Sequence, residues 1–113
     1  MGGRREQDIE KVIESIVYNQ LRFNGYTVYV GQLQAGEIDF FCAKDGSTPV
    51  YIQVSFIIAD EATREREFGA LRNINNNYPK YVISMTPLVD RIDNEGIIHL
   101  SLRRFLSEGL QPA

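Results

Sequence analysis

From Asp8 to Phe23 the apolar residues Ile9, Val12, Ile13, Ile16, Val17 and Leu21 recur at the three- and four-residue intervals that line one side of a helix. Asn24-Gly25 ends that pattern, because glycine tolerates the left-handed backbone of a helix C-terminus. Tyr26 to Gln32 is β-branched and aromatic and predicts a strand, closed by polar residues and Gly36. Glu37 to Lys44 and Pro49 to Phe56 predict two more strands joined by Asp45-Gly46-Ser47, whose composition suits a tight hairpin. A three-residue loop there sets Asp39 opposite Gln53 on one face of the sheet, whereas a four-residue loop shifts the pairing and separates them. Val50, Ile52, Val54 and Phe56 form one face of the third strand; Tyr51, Gln53 and Ser55 form a second face that is polar for a central strand.

Asp60 is the expected N-cap of a second helix that continues to about Asn73 and turns Phe68, Leu71 and Ile74 inward, until Asn75-Asn76-Asn77-Tyr78-Pro79 stops it. Tyr81 to Met85 has the composition of a strand covered on both faces, Ile97 to Leu100 predicts another, and Leu102 to Leu110 a closing helix. The order α-β-β-β-α-β-β-α predicts an α/β domain: a mixed sheet flanked by helices, with Tyr81 to Met85 in its middle. The crossover through the second helix sets that strand parallel to its neighbour, with right-handed connectivity.

With 113 residues, 43% of them hydrophobic and 24% charged, the chain fits one globular domain, read as residues 8–110. Residues 1–7 read as an appended or flexible start and 111–113 as a tail. No apolar run reaches the roughly 18 to 20 residues that span a bilayer, and the polar opening lacks a signal peptide's apolar stretch. The expectation is a cytoplasmic protein with no membrane partner. Cys42, the single cysteine, lies in an apolar run and is expected in the core. A formal charge of −3 excludes a global field that would attract nucleic acid, though not a local cluster of cations.

No glycine-rich phosphate loop, HExxH, GxSxG or Cys/His cluster is present, and His99, the single histidine, lies in an apolar strand and reads as structural. The candidate chemistry is Asp39, within Glu37-Ile38-Asp39-Phe40-Phe41, facing Gln53 on the next strand. A carboxylate, an amide oxygen and a backbone carbonyl make the hard-ligand set that Mg²⁺ prefers. The alternative is that Glu37 and Asp39 decorate a solvated face. Arg64-Glu65-Arg66-Glu67 likewise reads either as arginines held beside a phosphate site or as a solvated helix face. Tyr26, Tyr29, Tyr51, Tyr78 and Tyr81 read either as base-stacking rings or, more commonly in strands, as packing residues.

Gly36-Glu37-Ile38-Asp39-Phe40, a hairpin and Tyr51-Ile52-Gln53-Val54-Ser55, after a helix ending in Asn24-Gly25-Tyr26, resemble the PD-(D/E)XK superfamily of restriction enzymes and Holliday-junction resolvases. Almost the whole chain resembles the C-terminal domain of unknown function found in bacterial and archaeal AAA+-type P-loop ATPases. That resemblance runs through Ile13 to Asn19, Val28 to Gly31, Ala59 to Glu67 and Tyr78 to Met85. It implies a restriction-endonuclease-like fold, an N-terminal P-loop ATPase module in the same polypeptide, DNA as a partner, and Mg²⁺ as the cofactor.

Position by position, the resemblance implies Glu14 as the first-helix carboxylate, Asp39 as the metal-binding aspartate, Gln53 where the superfamily has Asp or Glu, and Ser55 where it has Lys. Asp39, Gln53 and Glu14 form the implied metal set. Gln53 can still offer an oxygen. Loss of the lysine removes a preorganised charge worth ~10²-fold or more in rate, for which Lys44 and Lys80 are the candidate replacements. The expected function is a nuclease-like accessory domain that binds DNA or a partner with little or no hydrolysis. An active Mg²⁺-dependent endonuclease and a pure dimerisation or docking domain, acting as a homodimer, stay open as alternatives.

Overall fold

In the computed structural model, residues 2–33, 36–86, 91–92 and 96–110 are described. Helix α1 spans Gly2–Phe23, beginning before the Asp8 expected from the apolar pattern, because Arg4, Arg5, Glu6 and Gln7 are good helix formers that continue the same turn geometry. Its buried stripe is Ile13, Val17 and Leu21, spaced at i, i+4 and i+8. Val12 and Ile16 are one position off that stripe and lie on the solvent side, 59% and 39% exposed, so the inward face is narrower than predicted. At the C-terminus Gly25 adopts φ +97°. Gly25 N–H donates to the Arg22 carbonyl and Tyr26 N–H to the Leu21 carbonyl, the paired bonds of a Schellman cap.

Strands β1 (Thr27–Leu33), β2 (Gly36–Ala43) and β3 (Val50–Val54) form an antiparallel meander. The β2–β3 turn closes through Ser47 N–H to the Lys44 carbonyl at 3.0 Å, with Gly46 at φ +80°. Phe40 then pairs with Ile52, Phe41 with Tyr51 and Cys42 with Val50, the register expected of the three-residue loop.

Helix α2 (Glu61–Arg72) is capped by Asp60, whose side chain accepts from Thr63 N–H at 2.8 Å. It carries the chain to β4 (Lys80–Ser84), which lies parallel to β3 as expected. β4 stops at Ser84, and Met85, expected within a buried strand, is exposed. Strand β5 (Arg91–Ile92) was not expected; two residues are too few to show a period. β6 (Ile98–Ser101) runs parallel to β4, and α3 (Leu102–Glu108) follows it under a Ser101 cap.

The order across the mixed six-stranded sheet is β1-β2-β3-β4-β6-β5, which puts β4 inside it. One face packs Phe40, Cys42, Ile52, Val54, Tyr81 and Ile83 against Ile13, Val17 and Leu21 of α1 and Phe105 of α3. The other packs Ile38, Val82 and Ile97 against Phe68 and Leu71 of α2. Apolar side chains on both faces of β4 account for its apolar centre, Tyr81-Val82-Ile83. Cys42 is fully buried, and burial pushes its thiol up to about 12, so it is a core residue. Among the described residues no helix is long and apolar enough to cross a membrane.

Candidate carboxylate site

Asp39 occupies a break in the ladder. On β1, Val30 pairs with Phe40 and Gly31 with Ile38, so Asp39 is the extra residue of a β-bulge. The bulge switches β2 between faces: Ile38 joins the α2-side core and Phe40 the α1-side core, although two residues apart they would share a face in a regular strand. It also frees the backbone around Asp39 for other partners. Asp39 N–H donates to Gln53 Oε1 at 3.1 Å, and Asp39 Oδ2 accepts from Val54 N–H at 2.8 Å. The expected Asp39–Gln53 juxtaposition is therefore realised as a reciprocal clasp between side chains and backbone.

Three more carboxylates surround the clasp. Gln53 Nε2 donates to Glu67 Oε2 of α2 at 3.0 Å, and Glu10 Oε2 of α1 accepts from Phe56 N–H at 3.3 Å. Glu14, one turn along α1, acts on Asp39 electrostatically. Burial lifts the Asp39 carboxyl to about 7, the Val54 N–H bond opposes that rise, and Glu14, Glu67 and Glu10 add to it. Glu67 is raised mainly by burial, against the stabilising Gln53 bond. Glu14 is also raised, by burial first and then by Glu10. Burial first, and then the mutual repulsion of the carboxylates, disfavours full ionisation of the cluster.

Ser55 is not at the surface of this site. It is 1% exposed, with its N–H donating to the Ile83 carbonyl, which corrects the expectation of an outward position beside Gln53. Neither candidate lysine replaces the missing cation. The Lys44 ammonium lies 5.1 Å from the Tyr26 ring beyond the other end of β2. The Lys80 ammonium donates to Asn76 O, Asn76 Oδ1 and Tyr78 O. Among the described residues, Lys11 acts on Glu14, and Arg66 Nε is 3.8 Å from Glu67 Oε1. Arg64 packs over the Phe68 ring at 4.2 Å.

Glu67 and Glu10 were not singled out from the sequence. Glu67 lay within a run of alternating charge, yet it precedes Leu71 by four residues and so shares the buried side of α2. Glu10 and Glu14 are likewise an i, i+4 pair flanking the Ile13–Val17 stripe. Among the described residues, no group of three or more His, Cys, Asp or Glu side chains converges closely enough to make a finished metal shell.

His99 is buried; its Nε2 is 2.8 Å from Ser84 Oγ, and its ring packs edge-on against Phe68 at 5.4 Å. A cavity of about 410 Å³ lies between the end of α1 and α3, lined in part by Gln20, Asn24, Lys44 and Ser107, and includes none of the clustered carboxylates.

No protein-family model matches the chain, and no solved structure matches it. Among curated proteins it is similar to an uncharacterized protein of Haemophilus influenzae, 34% identical over 82 residues. The similarity covers 73% of the chain and 20% of that protein, so the chain spans about a fifth of the length of the curated relative it matches.

Proposed function

We propose that the chain is a restriction-endonuclease-like domain with a degraded catalytic centre, one that holds a divalent cation weakly and binds DNA with little or no hydrolysis. The observation that carries this reading is the clasped, bulge-borne Asp39 between carboxylates from two helices, Glu14 and Glu67, in a cluster whose ionisation is disfavoured. A divalent cation would offset the mutual repulsion of these carboxylates in their ionised form, and the oxygen-only donors suit Mg²⁺. The charge fits the ion, while the open arrangement of the donors fits weak binding.

Asp39, Glu14 and the Gln53 carbonyl oxygen would hold Mg²⁺, which supplies Lewis-acid polarisation of a phosphodiester. The chain's own residues do the rest. Gln53 fixes the bulge through Asp39 N–H and orients Glu67. Val54 N–H holds Asp39 Oδ2 and favours its ionised form. Buried Ser55 contributes no charge, which leaves the transition state without the ammonium that such sites use.

The relative's greater length accords with a domain carried in a larger polypeptide, for which we propose an N-terminal P-loop ATPase module and a cytoplasmic setting. An active endonuclease is the second reading, favoured by Arg66, which places a guanidinium beside Glu67. Plasmid and branched-DNA incubations with Mg²⁺ or Mn²⁺ separate the two. The first reading expects binding with negligible cleavage. Robust cleavage lost on both Asp39→Ala and Arg66→Ala would establish the second.

A further inference from the structure

On the α2 side of the sheet four aromatic rings run across the strands in a row. Tyr29 of β1 lies 6.1 Å from Phe41 of β2, Phe41 lies 5.0 Å from Tyr51 of β3, and Tyr51 lies 6.3 Å from Tyr78 in the turn before β4. Tyr29–Phe41 and Phe41–Tyr51 are also directly paired residues, so the sheet register itself builds the row. α2 packs over β2, β3 and β4, with Tyr51 at the margin of its core. The row's two ends lie open, Tyr29 at 56% and Tyr78 at 38% exposure. The central pair is packed beside α2, and Tyr29 and Tyr78 extend the row outward from it at both ends.

We propose that this row is a stacking platform for the bases of single-stranded nucleic acid. The inference rests on the nucleic-acid reading above and narrows it to unpaired strands. Tyr51 and Gln53 share a strand face two residues apart, about 7 Å along β3, and Gln53 clasps Asp39, so a strand stacked on the row passes its backbone near the carboxylate site. Stacking is open to unpaired bases, whose faces are accessible, and tolerates any sequence. The Lys80 ammonium, 5.7 Å from the Tyr51 ring and pinned by Asn76 and Tyr78, fixes one positive charge beside the row. The formal charge of −3 gives no general attraction for a polyanion, so discrimination among nucleic acids rests on the rings.

The test uses the 113-residue chain in EDTA, with tyrosine emission as the signal, since the sequence has no tryptophan. The probes are a dodecamer of deoxythymidylate, the same backbone without bases, and a blunt duplex. The dodecamer should quench emission and bind at least tenfold more tightly than either other probe. Tyr29→Ala and Tyr78→Ala, both at exposed positions, should each weaken binding about tenfold, as expected for loss of one base–ring stack. Phe23→Ala, also exposed, should leave it unchanged. Circular dichroism verifies that each variant is folded. Equal affinity for the baseless backbone, preference for duplex, or indifference to both tyrosine substitutions overturns the proposal. Tyr29→Ala and Tyr78→Ala, which lie outside the carboxylate cluster, should leave Mn²⁺ binding measured without DNA unchanged, so failure of the platform and failure of the cation site are distinguishable.

Discussion

Two polar groups of this sheet, one buried at its α2 face and one half-buried between α1 and α2, have residue types that suggest the opposite of what their surroundings support. Ser84 and His99 are the pair that resembles a nucleophile and its base, with Oγ and Nε2 2.8 Å apart. Both are buried, and Ser84 Oγ is also tied to Thr86 Oγ1 at 2.9 Å and Thr86 N–H at 3.2 Å. Thr86 Oγ1 in turn accepts from Ile58 N–H, so this network fastens the 56–58 segment to β4. The Asp39 cluster contains weaker nucleophiles, but Glu14, Glu67 and Glu10 add to the burial that raises Asp39. A satisfied network stabilises the fold, whereas a carboxyl raised by burial and by its neighbours is of the kind found at functional sites.

Substitutions can break this contrast at either end. The largest effect is expected at His99→Ala, which opens a cavity beside Phe68 and removes a partner of a buried hydroxyl. Urea unfolding should show a loss of about 3 kcal/mol with cation binding unchanged. Ser55→Lys inserts an ammonium at a fully buried position and should cost roughly 2 kcal/mol alone. Joined with Gln53→Glu it should recover part of that loss and raise cation affinity, provided burial leaves the new lysine protonated. A variant with both changes that is no more stable than Ser55→Lys would show that the new ammonium does not reach the carboxylates.

Asp39→Asn should stabilise the protein at alkaline pH. The folded-state value of about 7 lies above the ordinary 3.8, so the fold favours the protonated acid. That contribution is full below pH 3.8 and is lost as the pH rises to about 7. The amide can still accept from Val54 N–H, so the variant should be about 1 to 3 kcal/mol more stable than the parent at pH 8 and equal to it near pH 4, read from paired melting curves. The smallest effect is expected at Arg66→Ala. Arg66 is 70% exposed, and its contact with Glu67 is long, so stability should change by less than about 0.5 kcal/mol.

Much of the frame could be read in the residues because local chemistry determines it. The 3.6-residue period, Gly25, the Asp45-Gly46-Ser47 turn and the Asp60 cap act over a few positions, and the hairpin register follows from the turn. The bulge could not be read. It depends on how β1 meets β2, and Glu37-Ile38-Asp39-Phe40 looks like an uninterrupted alternation. Ser55 appeared outward because the polar Gln53–Ser55 face was read as solvent-facing, whereas Ser55 is buried and its N–H continues the bonding to β4 at the Ile83 carbonyl. Glu67 was hidden because an acidic residue among arginines normally faces water; only its spacing from Leu71 signalled otherwise.

The central claim, that the Asp39 cluster is a cation site held back by its own proton, is most directly tested by calorimetric titration of Mn²⁺ into the parent and Asp39→Asn chains at pH 8 and pH 5. The parent should bind at pH 8, where Asp39 is ionised, and bind far more weakly at pH 5, while Asp39→Asn should bind poorly at both. Equal binding by the two chains at pH 8, or no binding by the parent there, would contradict the account.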